Sequence, residues 1–518
     1  MEDPEKYGSS DEIDKSAGAE INVKPSSEEI TKPTNPGRPQ FPETDLSQGI
    51  VGWDGQDDPS NPQNFSPGKK WGLLALMSAI TFLSPLASSM FSPAVSYVGK
   101  DLNVPNETLL SFSVSIFLLG YVIGPLVLAP LSEIYGRRVV LSCGNWFFVV
   151  WQIGCALAPN IEALIIFRFL SGCGASACLT LGAALIADVF PVEQRGMATS
   201  IWSMGPLVGP VVGPICGGFI GDEIGWRWVF WILLMAGGVL AIAIEYLNQE
   251  TYARVLIRWK TARLQKELNQ ADLRSAYEPH GEALSVSRTL QQGFKRPMLL
   301  LFKSPIVALL ATYMALIYGL LYLFFTTIPS VFTSQYGFST GISGLAYLGI
   351  GVGSFIGIGI VATTSDKVVL KLASHNGGKV EPEMRLPTMI FFACVLPISF
   401  FWYGWTAAKH VHWIVPIIGM VPFGFGMLGV YLPIQTYIID CFPVYAASAN
   451  ATLTSTRSLV GALLPLAGPA MFSTLGLGWG NSLLGFIALS FVPAPIIFVR
   501  YGKAIRDRFP VNLDDMKA

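Results

Sequence analysis

The chain has 518 residues, of which 51% are hydrophobic and 13% are charged. The charged fraction is about half of the ~25% usual in soluble domains, and the mean hydropathy is +0.49, which argues against a soluble protein. The formal net charge of −1 gives no reason to expect a nucleic acid partner. We therefore expect an all-α integral membrane protein whose main partner is the lipid bilayer.

Residues 1–69 form a polar leader before the first apolar segment. The leader is rich in Asp, Glu, Ser, Pro and Gly, a composition that does not support a buried core and predicts disorder. It ends at Lys69, Lys70 and Trp71, residue types that anchor a helix end among lipid head groups. The apolar segment that follows is too long for a signal peptide and predicts a first spanning helix.

Twelve apolar segments follow, each close to the ~20 residues that a helix needs to cross the hydrocarbon. A polar central segment at 248–300 separates two sets of six, which predicts six-helix bundles at 70–247 and 301–501 and a tail at 502–518. The predicted spans lie at about 71–95, 109–131, 139–158, 162–187, 197–220, 227–247, 304–330, 341–363, 387–407, 412–436, 446–473 and 479–500.

Basic residues in the loops predict the orientation, because loops rich in Lys and Arg stay cytoplasmic. The basic side includes Arg137, Arg138, the central segment and both ends of the chain. The leader, the central segment and the tail are therefore expected to be cytoplasmic. The sequon that begins at Asn106 falls in an outer loop, so Asn106 is a candidate for glycosylation.

The sequence shows no catalytic or metal-binding constellation. Its seven cysteines lie in or beside apolar segments without metal-ligand spacing, which is typical of packing residues. His410 and His412 share a short loop and are expected to be solvated. We therefore expect neither an enzyme nor a cofactor.

The two sets of six spans resemble each other. The fourth span ends in the sequence IADVFPV at 186–192, and the tenth ends in IIDCFPV at 438–444. Asp188 and Asp440 thus occupy matching places, and the same offset pairs Gly209 with Gly461. Two like-oriented halves with a site near the midplane between them are typical of one large class of transporters; the alternative is chance similarity.

The loop after the second span contains Glu133, Gly136, Arg137 and Arg138. A carboxylate, a turn glycine and two arginines can join neighbouring helix ends by charge-assisted hydrogen bonds that a rocking motion breaks. The motif predicts a conformational latch, and the alternative is that the arginines only mark topology.

Arg168 lies inside the fourth span, in its outer half. A charge in hydrocarbon is costly and usually marks a cavity or an ion path. Snorkelling of the side chain to the outer interface is the alternative. The position predicts a buried functional arginine.

The fifth span contains three Gly-Pro pairs within 205–214 and a Gly-Gly pair at 217–218. Pro removes backbone donors, and Gly permits close approach of a neighbouring helix. The pattern predicts a conformational hinge, and a static tight contact is the alternative. The predicted hinge residues are Gly209, Gly213, Pro214, Gly217 and Gly218.

The seventh span places Tyr318 and Tyr322 four residues apart on one helix face. Tyr431 and Gln435 of the tenth span are expected to face them across the interface between the halves. Aromatic walls with a few hydrogen-bonding groups suit apolar solutes, so these four residues are candidates for substrate binding. Packing of the aromatic rings against lipid is the alternative.

No Asp or Glu lies deep inside a predicted span, so the proton carrier of a coupled transporter stays unassigned. Glu133, Asp188 and Asp440 lie at inner helix ends and are candidates for proton coupling. Arg168 can tune the proton affinity of a neighbour without carrying the proton itself. Arg457 lies within the eleventh span, where it can pair with a carboxylate.

These segments resemble the signatures of the major facilitator superfamily and, within it, of the twelve-span drug:proton antiporters of fungi. The likeness runs from about residue 57 to the C-terminus. Ala129 stands where the loop signature usually has Gly, and Ser171 where the fourth-span motif often has Gln, which leaves the polar partner of Arg168 open. The similar positions are 133 and 136–138 for the loop signature, Leu164, Arg168, Gly172 and Gly174 for the fourth-span motif linked to proton coupling, and Gly209, Gly213, Pro214, Gly217 and Gly218 for the fifth-span antiporter motif.

The resemblance implies the major facilitator fold and export of lipophilic drugs, fungicides or secondary metabolites by proton antiport. We expect a monomer in the plasma membrane, with the vacuolar membrane as the alternative. A polyamine exporter or a nutrient importer of the same fold is the rival function, although the lack of deep carboxylates disfavours polyamines and the Gly-Pro pattern disfavours import. A polytopic receptor or membrane enzyme is disfavoured by the number of spans and by the lack of a catalytic constellation.

Overall fold

The computed structural model describes residues 41–277, 286–377, 381–442 and 446–509. The first 40 residues of the predicted leader and the predicted tail beyond residue 509 lie outside these ranges. Within them the chain is almost entirely helical. The one pair of hydrogen-bonded strands in the described ranges consists of two residues each, Ile50–Val51 and Arg274–Ser275, which run parallel.

In the described ranges, twelve helical crossings form the membrane domain. Eleven helical stretches are long and apolar enough to span a bilayer, and the last of them covers 60 residues, Ala449–Arg508. That stretch turns at Gly476, whose φ of 70° is not helical, so it contains two crossings. The number of crossings therefore agrees with the sequence prediction.

We number the crossings as spans 1 to 12. Most of the helix ends lie within a few residues of the predicted ends, and both ends of span 6 coincide with the prediction. The bounds are Pro67–Met90, Glu107–Ser115 with Phe117–Tyr135, Arg137–Ala156, Ile161–Val189, Val192–Glu223, Arg227–Leu247, Pro305–Tyr336, Thr340–Gly344 with Leu348–His375, Pro387–Ala408, Ile414–Gly419 with Val421–Cys441, Ala446–Leu463 with the first turns of Gly468–Ser490, and the remainder of Gly468–Ser490 with Pro493–Arg508.

The internal repeat is visible in the packing of the two halves. In the first half, span 5 packs on span 1, and a Cβ at Gly209 would lie 2.9 Å from the Phe82 carbonyl oxygen. In the second half, span 11 packs on span 7, and a Cβ at Gly461 would lie 3.1 Å from the Tyr318 ring. The two glycines paired by the sequence offset therefore lie at corresponding helix contacts, although the atom closest to a Cβ at Gly461 would be Leu118 Cδ1 of span 2, at 2.8 Å.

Part of the predicted leader differs from the expectation of disorder. From residue 42 onward the chain packs against the central helix Ala253–Glu267, and Val51 and Trp53 are almost fully buried. Trp53 Nε1 donates to the Tyr277 hydroxyl at 2.9 Å, and Lys260 Nζ lies 2.5 Å from Asp54 Oδ1. The composition of the leader did not predict this ordered part, because its few apolar side chains are buried against the central segment and not within the leader itself.

Candidate functional site

A central cavity lies between the two halves. Its empty space, including the part that is open to solvent, is about 750 Å³. Spans 1, 4 and 5 form one wall, and spans 7, 8, 10 and 11 form the other. The lining is mostly apolar: Pro85, Leu179, Pro206, Pro210, Val211, Met314, Ile317, Tyr318, Leu321, Phe325, Ile350, Ser354, Met427, Leu428, Val430, Tyr431 and Arg457.

The cavity continues toward the side of the molecule predicted to be cytoplasmic. A second space of about 410 Å³ shares Leu179, Pro206, Tyr431 and Arg457 with the first. Its other lining residues come from the inner parts of spans 5, 10 and 11, and they are more polar. They are Trp202, Ser203, Leu432, Gln435, Asn450 and Thr454.

The outer side of the cavity is closed by contacts between the halves. The hydroxyls of Ser88 and Tyr322 are 2.7 Å apart, which joins span 1 to span 7. The amide of Gly341 donates to Asp222 Oδ2 at 3.3 Å, which joins span 8 to span 5. A Cβ at Gly218 would lie 2.8 Å from the Thr340 carbonyl oxygen, so the backbones approach closely here. The structure is therefore closed on the outer side and hollow toward the inner side.

Three of the four predicted substrate residues line the cavity, and the fourth does not. Tyr318 and Tyr431 lie in the same wall, formed by the second half, where both rings contact the Arg457 guanidinium, so the expected arrangement across the interface between the halves is wrong. Gln435 lies in the inner space. Tyr322 is fully buried in the outer contact with Ser88. Its ring centroid lies 5.1 Å from that of Tyr318, so it contacts the cavity wall from behind.

Among the described residues that line these two spaces, Arg457 is the one charged side chain. It is 7% exposed, and its guanidinium lies over the rings of Tyr318 at 4.8 Å and Tyr431 at 5.1 Å. Arg457 Nη1 donates to the Tyr431 hydroxyl at 2.5 Å. The sequence indicated that Arg457 lies in a span but not that it reaches the cavity. The helical spacing of three polar residues could have indicated a polar face on span 11. These residues are Asn450, Thr454 and Arg457.

Arg168 is buried among aromatic rings and does not line the cavity. It is 1% exposed, so it does not extend to the outer surface. Arg168 Nη2 donates to the carbonyl oxygens of Ser88 and Val114, at 3.2 Å each. Three phenylalanine rings surround its guanidinium carbon at 4.8–5.8 Å: Phe91, Phe117 and Phe230.

The sequence left open which polar side chain pairs with Arg168, and in the structure Ser171 pairs with another residue instead. Gln152 of span 3 donates to Ser171 Oγ at 2.6 Å, and Arg168 uses backbone carbonyls instead. The glycines after Arg168 permit close packing on spans 2 and 3: a Cβ at Gly172 would collide with the Phe117 carbonyl, and one at Gly174 would lie 2.6 Å from the Phe148 amide nitrogen. Neither Gln152 nor the phenylalanines could be assigned from the sequence, because they come from other spans.

The predicted latch after span 2 is built around different carboxylates than expected. Arg137 Nε lies 3.4 Å from Asp188 Oδ2 of span 4, and Arg138 donates to the Glu245 carbonyl oxygen at 2.9 Å. Glu133 has no hydrogen bond or ion pair with the residues that the structure describes. The structure thus joins Gly136, Arg137, Arg138 and Asp188 but leaves Glu133 out.

Glu250 is the second carboxylate of this cluster, and the sequence analysis missed it. It is 6% exposed and accepts the backbone amides of Arg137 at 2.9 Å and Arg138 at 3.1 Å, which caps span 3 with a negative charge. Gly136 needs φ of 97°, and a Cβ there would collide with this carboxylate. Burial raises the pKa of Tyr252, which stays neutral under the Arg137 guanidinium at 4.3 Å.

The second half repeats the arginine–carboxylate contact. Arg385 Nε lies 3.2 Å from Asp440 Oδ2 at the end of span 10. Arg506 Nη1 lies 3.2 Å from Glu383 Oε1, and Glu383 is nearly buried. Asp188 and Asp440, matched by the sequence repeat, therefore have matching partners, but neither lies in the cavity.

Three of the five predicted hinge residues, Gly209, Gly213 and Gly217, form a glycine stripe against span 1, whereas Gly218 packs against span 8. A Cβ at Gly213 would lie 2.9 Å from the Leu86 carbonyl oxygen, and a Cβ at Gly217 would collide with the Met90 carbonyl. Pro214 lies within the same helix, which continues from Val192 to Glu223. The structure therefore shows a tight contact, and the hinge stays a prediction.

The remaining predicted site is the sequon. Asn106 caps the helix Glu107–Ser115, accepting the amides of Thr108 at 2.9 Å and Leu109 at 3.2 Å, and it is exposed. Its glycosylation stays a prediction. Over the described ranges no cluster of three or more His, Cys, Asp or Glu side chains is arranged to hold a metal ion.

Comparison with known proteins gives a consistent result. Residues 77–465 match the sequence profile of the Major Facilitator Superfamily. The chain is 51% identical to the MFS-type transporter penM of Penicillium rubens, over 88% of this chain and 89% of that protein. It is 48% identical to the MFS transporter cpaT of Aspergillus oryzae, over 89% and 93%, and 43% identical to the efflux pump radE of Floropilus chiversii, over 91% and 88%.

The fold is similar to that of the xylose transporter XylE from E. coli in a partially occluded inward open conformation. The TM-score is 0.63, with 84% of this chain and 98% of that chain covered. At 16% sequence identity this likeness shows the fold alone.

Proposed function

This chain belongs to the Major Facilitator Superfamily and is a multi-pass membrane transporter, not an enzyme, and we propose that it exports lipophilic small molecules in exchange for protons. The substrate classes in the proposal are drugs, fungicides and secondary metabolites. The observation that carries the proposal is the cavity of about 750 Å³ between the halves, whose walls are mostly apolar and aromatic. Apolar walls with a few polar groups bind solutes that are largely hydrophobic.

Export, as opposed to uptake, is supported by the sequence of span 5 and by the relatives. The glycines that resemble the antiporter motif pack against span 1 in the structure, and one of the relatives named above is an efflux pump. A cavity that is hollow toward the predicted cytoplasmic side fits both an exporter that accepts its solute there and an importer that releases it there, so span 5 and the relatives carry the proposed direction.

Rival substrates are disfavoured by the charge of the cavity. In the part of the chain that the structure describes, the residues lining the two spaces include Arg457 but no Asp or Glu. A polyamine would bring several positive charges toward this arginine without a carboxylate to receive them, so the structure supports the polyamine alternative less than the lipophilic one.

Proton exchange is proposed to occur at Asp188 and not inside the cavity. Asp188 is mostly buried, at 18% side-chain exposure, and is paired with Arg137. Protonation of Asp188 would remove its attraction for Arg137 and loosen the inner ends of spans 2 and 4, which is a local change with a global effect of the kind that rocking transporters use. Arg168, Glu133 and Asp440 remain the other candidates.

The main test is transport by purified protein in liposomes with an imposed pH gradient. We expect uptake of a neutral lipophilic dye into inside-acidic vesicles when the cytoplasmic face is outward. Loss of the gradient should stop accumulation but not exchange of dye against dye. Accumulation that is the same with and without a pH gradient would contradict proton antiport.

The Asp188→Asn variant tests the proposed proton site, with Asp440→Asn as its matched control in the second half. We expect Asp188→Asn to abolish accumulation driven by the pH gradient while dye exchange persists. Asp440, at 39% exposure, is closer to water, so its substitution should have a smaller effect. Equal effects of the two variants would mean that Asp188 has no special role.

The plasma membrane is the proposed location. A fluorescent fusion of the full chain should outline the cell surface, and labelling of internal vacuoles would replace this proposal with the vacuolar alternative.

A further inference from the structure

The cavity contains a cation that the described part of the protein does not neutralise. Within the described ranges, Arg457 forms no ion pair with an acidic side chain, and no Asp or Glu lines either space. A buried charge without a partner is costly, and proteins normally satisfy it with a counter-ion or hydrogen bonds. The hydroxyl and rings of Tyr431 and the ring of Tyr318 stabilise the cation only in part.

One edge of the Arg457 guanidinium is not used. Nη1 is engaged by Tyr431 at 2.5 Å. Nε is buried with no hydrogen-bond partner, and Nη2 makes no hydrogen bond with the described residues. The Nε–Nη2 edge presents two parallel N–H donors, the arrangement that matches the two oxygens of a carboxylate.

Arg168 is also buried without an ion pair to a described acidic side chain, and its Nε likewise has no hydrogen-bond partner among the described residues. Its Nη2 has two carbonyl acceptors, and three aromatic rings surround it. Arg168 lines neither space. Of these two buried arginines only Arg457 lines the cavity, so only its guanidinium lies where a solute can contact it.

We infer that the preferred solutes are organic anions, each with a carboxylate that binds Arg457 and an apolar body that fills the remaining cavity. The inference rests on the proposed export function and narrows its substrate class. Met314, Ile317, Leu321 and Met427 surround the cavity near Arg457 and provide the apolar contacts. The inside-negative membrane potential favours the outward movement of an anion, so such a solute suits export.

The test compares two probes that differ in one group, pyrenebutanoate and its neutral amide. Both share the pyrene body, and only the first can form the bidentate pair with Arg457. Binding to the purified full chain is measured by fluorescence anisotropy. We expect the carboxylate to bind roughly 10- to 100-fold more tightly than the amide, since hydrogen bonds to charged groups have this effect.

The Arg457→Gln variant should remove this preference by weakening the carboxylate roughly 10-fold or more and the amide less than about two-fold. Arg457→Lys keeps the charge but not the planar fork, so it should retain part of the preference. Lys409→Gln, which removes a positive charge from an exposed outer loop, is the matched control and should behave as the wild type. Monodisperse size-exclusion profiles establish that each variant is folded.

Three outcomes overturn the inference: equal affinity of the two probes for the wild type, equal weakening of both probes in Arg457→Gln, or loss of preference in Lys409→Gln. Liposome transport separates this failure from that of the export function. A wild-type protein that moves the amide but not the carboxylate keeps export and refutes the anion site. A protein that binds the carboxylate but moves neither probe refutes export while the binding site stands.

Discussion

Two buried arginines, one in each half, have opposite surroundings. Arg168 is enclosed by phenylalanine rings and backbone carbonyls on the closed outer side, whereas Arg457 lies beside tyrosines in the cavity. Each guanidinium leaves Nε without a hydrogen-bond partner among the described residues, but only Arg457 lines the cavity. We therefore expect a structural task for Arg168 and, under the proposed anion site, a solute-binding task for Arg457.

The largest effect is expected from disturbing the packing beside Arg168. In Gly217→Val the new side chain collides with the carbonyl of Met90, which precedes the Phe91 ring over Arg168. Overpacking against backbone should lower the free energy of unfolding by about 3 kcal/mol, seen as a lower melting temperature of the detergent-purified protein. Gly238→Val is the control, because a Cβ at Gly238 has no atom within 4 Å. Equal melting temperatures would show that this contact is not needed.

Removal of Arg168 should stop transport of every solute. In Arg168→Ala the carbonyls of Ser88 and Val114 lose their buried donor, and we expect export to fall roughly 100-fold for acidic and neutral solutes alike. Arg168→Lys should restore part of the activity. A drug-sensitivity panel in cells without their own exporters measures this, and equal resistance of Arg168→Ala and wild type would disprove a role for Arg168.

Reversal of the charge at Arg457 should change selectivity and not overall activity. Arg457→Glu places a carboxylate among the tyrosines of the cavity, so we expect export of acidic solutes to fall roughly 10-fold or more while lipophilic cations become better substrates. Lys409→Glu makes the same charge change on an exposed loop and should leave selectivity as it is. A uniform loss for acids, cations and neutral solutes in Arg457→Glu would remove the contrast with Arg168.

The smallest effect is expected at the contact between the two regions. Tyr322 touches Tyr318 in the cavity wall and hydrogen-bonds Ser88, whose carbonyl accepts from Arg168. Tyr322→Phe keeps the ring and removes about 1 kcal/mol of hydrogen bonding, so hydrogen exchange at the outer ends of spans 1 and 7 should rise a few-fold. Tyr403→Phe removes a buried hydroxyl that has no partner and should not change exchange there. No difference between these variants would mean that the bond does not help to close the outer side.

The sequence predicted the spans well because their signal is local. Hydropathy alone located twelve crossings, and the matching ends of spans 4 and 10 predicted two equivalent halves, each with an Asp paired to an Arg. The turn at Gly476 separates the last two crossings where the prediction separated them.

The surroundings of individual side chains were not predictable, since they depend on which helices become neighbours. Tyr318 and Tyr322 share a helix face, yet Ser88 of span 1 covers one and leaves the other at the cavity. Glu133 looked like the latch carboxylate because it is adjacent in sequence, whereas Glu250 arrives from the end of span 6. Order in residues 42–66 likewise depends on a partner surface more than 200 positions away, as the contact of Trp53 with Tyr277 shows.

The glycine stripe of span 5 also determines which wall of the cavity can adapt. The glycines bring the backbones of spans 1 and 5 into direct contact. The prolines of this wall therefore have little freedom to repack around a solute. They are Pro85, Pro206 and Pro210. The opposite wall carries Met314 and Met427, whose unbranched thioethers change shape easily. Solutes of different shape are therefore expected to contact one rigid wall, while the methionines of the other wall change conformation to fit them. The transporter could in this way bind a range of solutes without any change in the packing of spans 1 and 5.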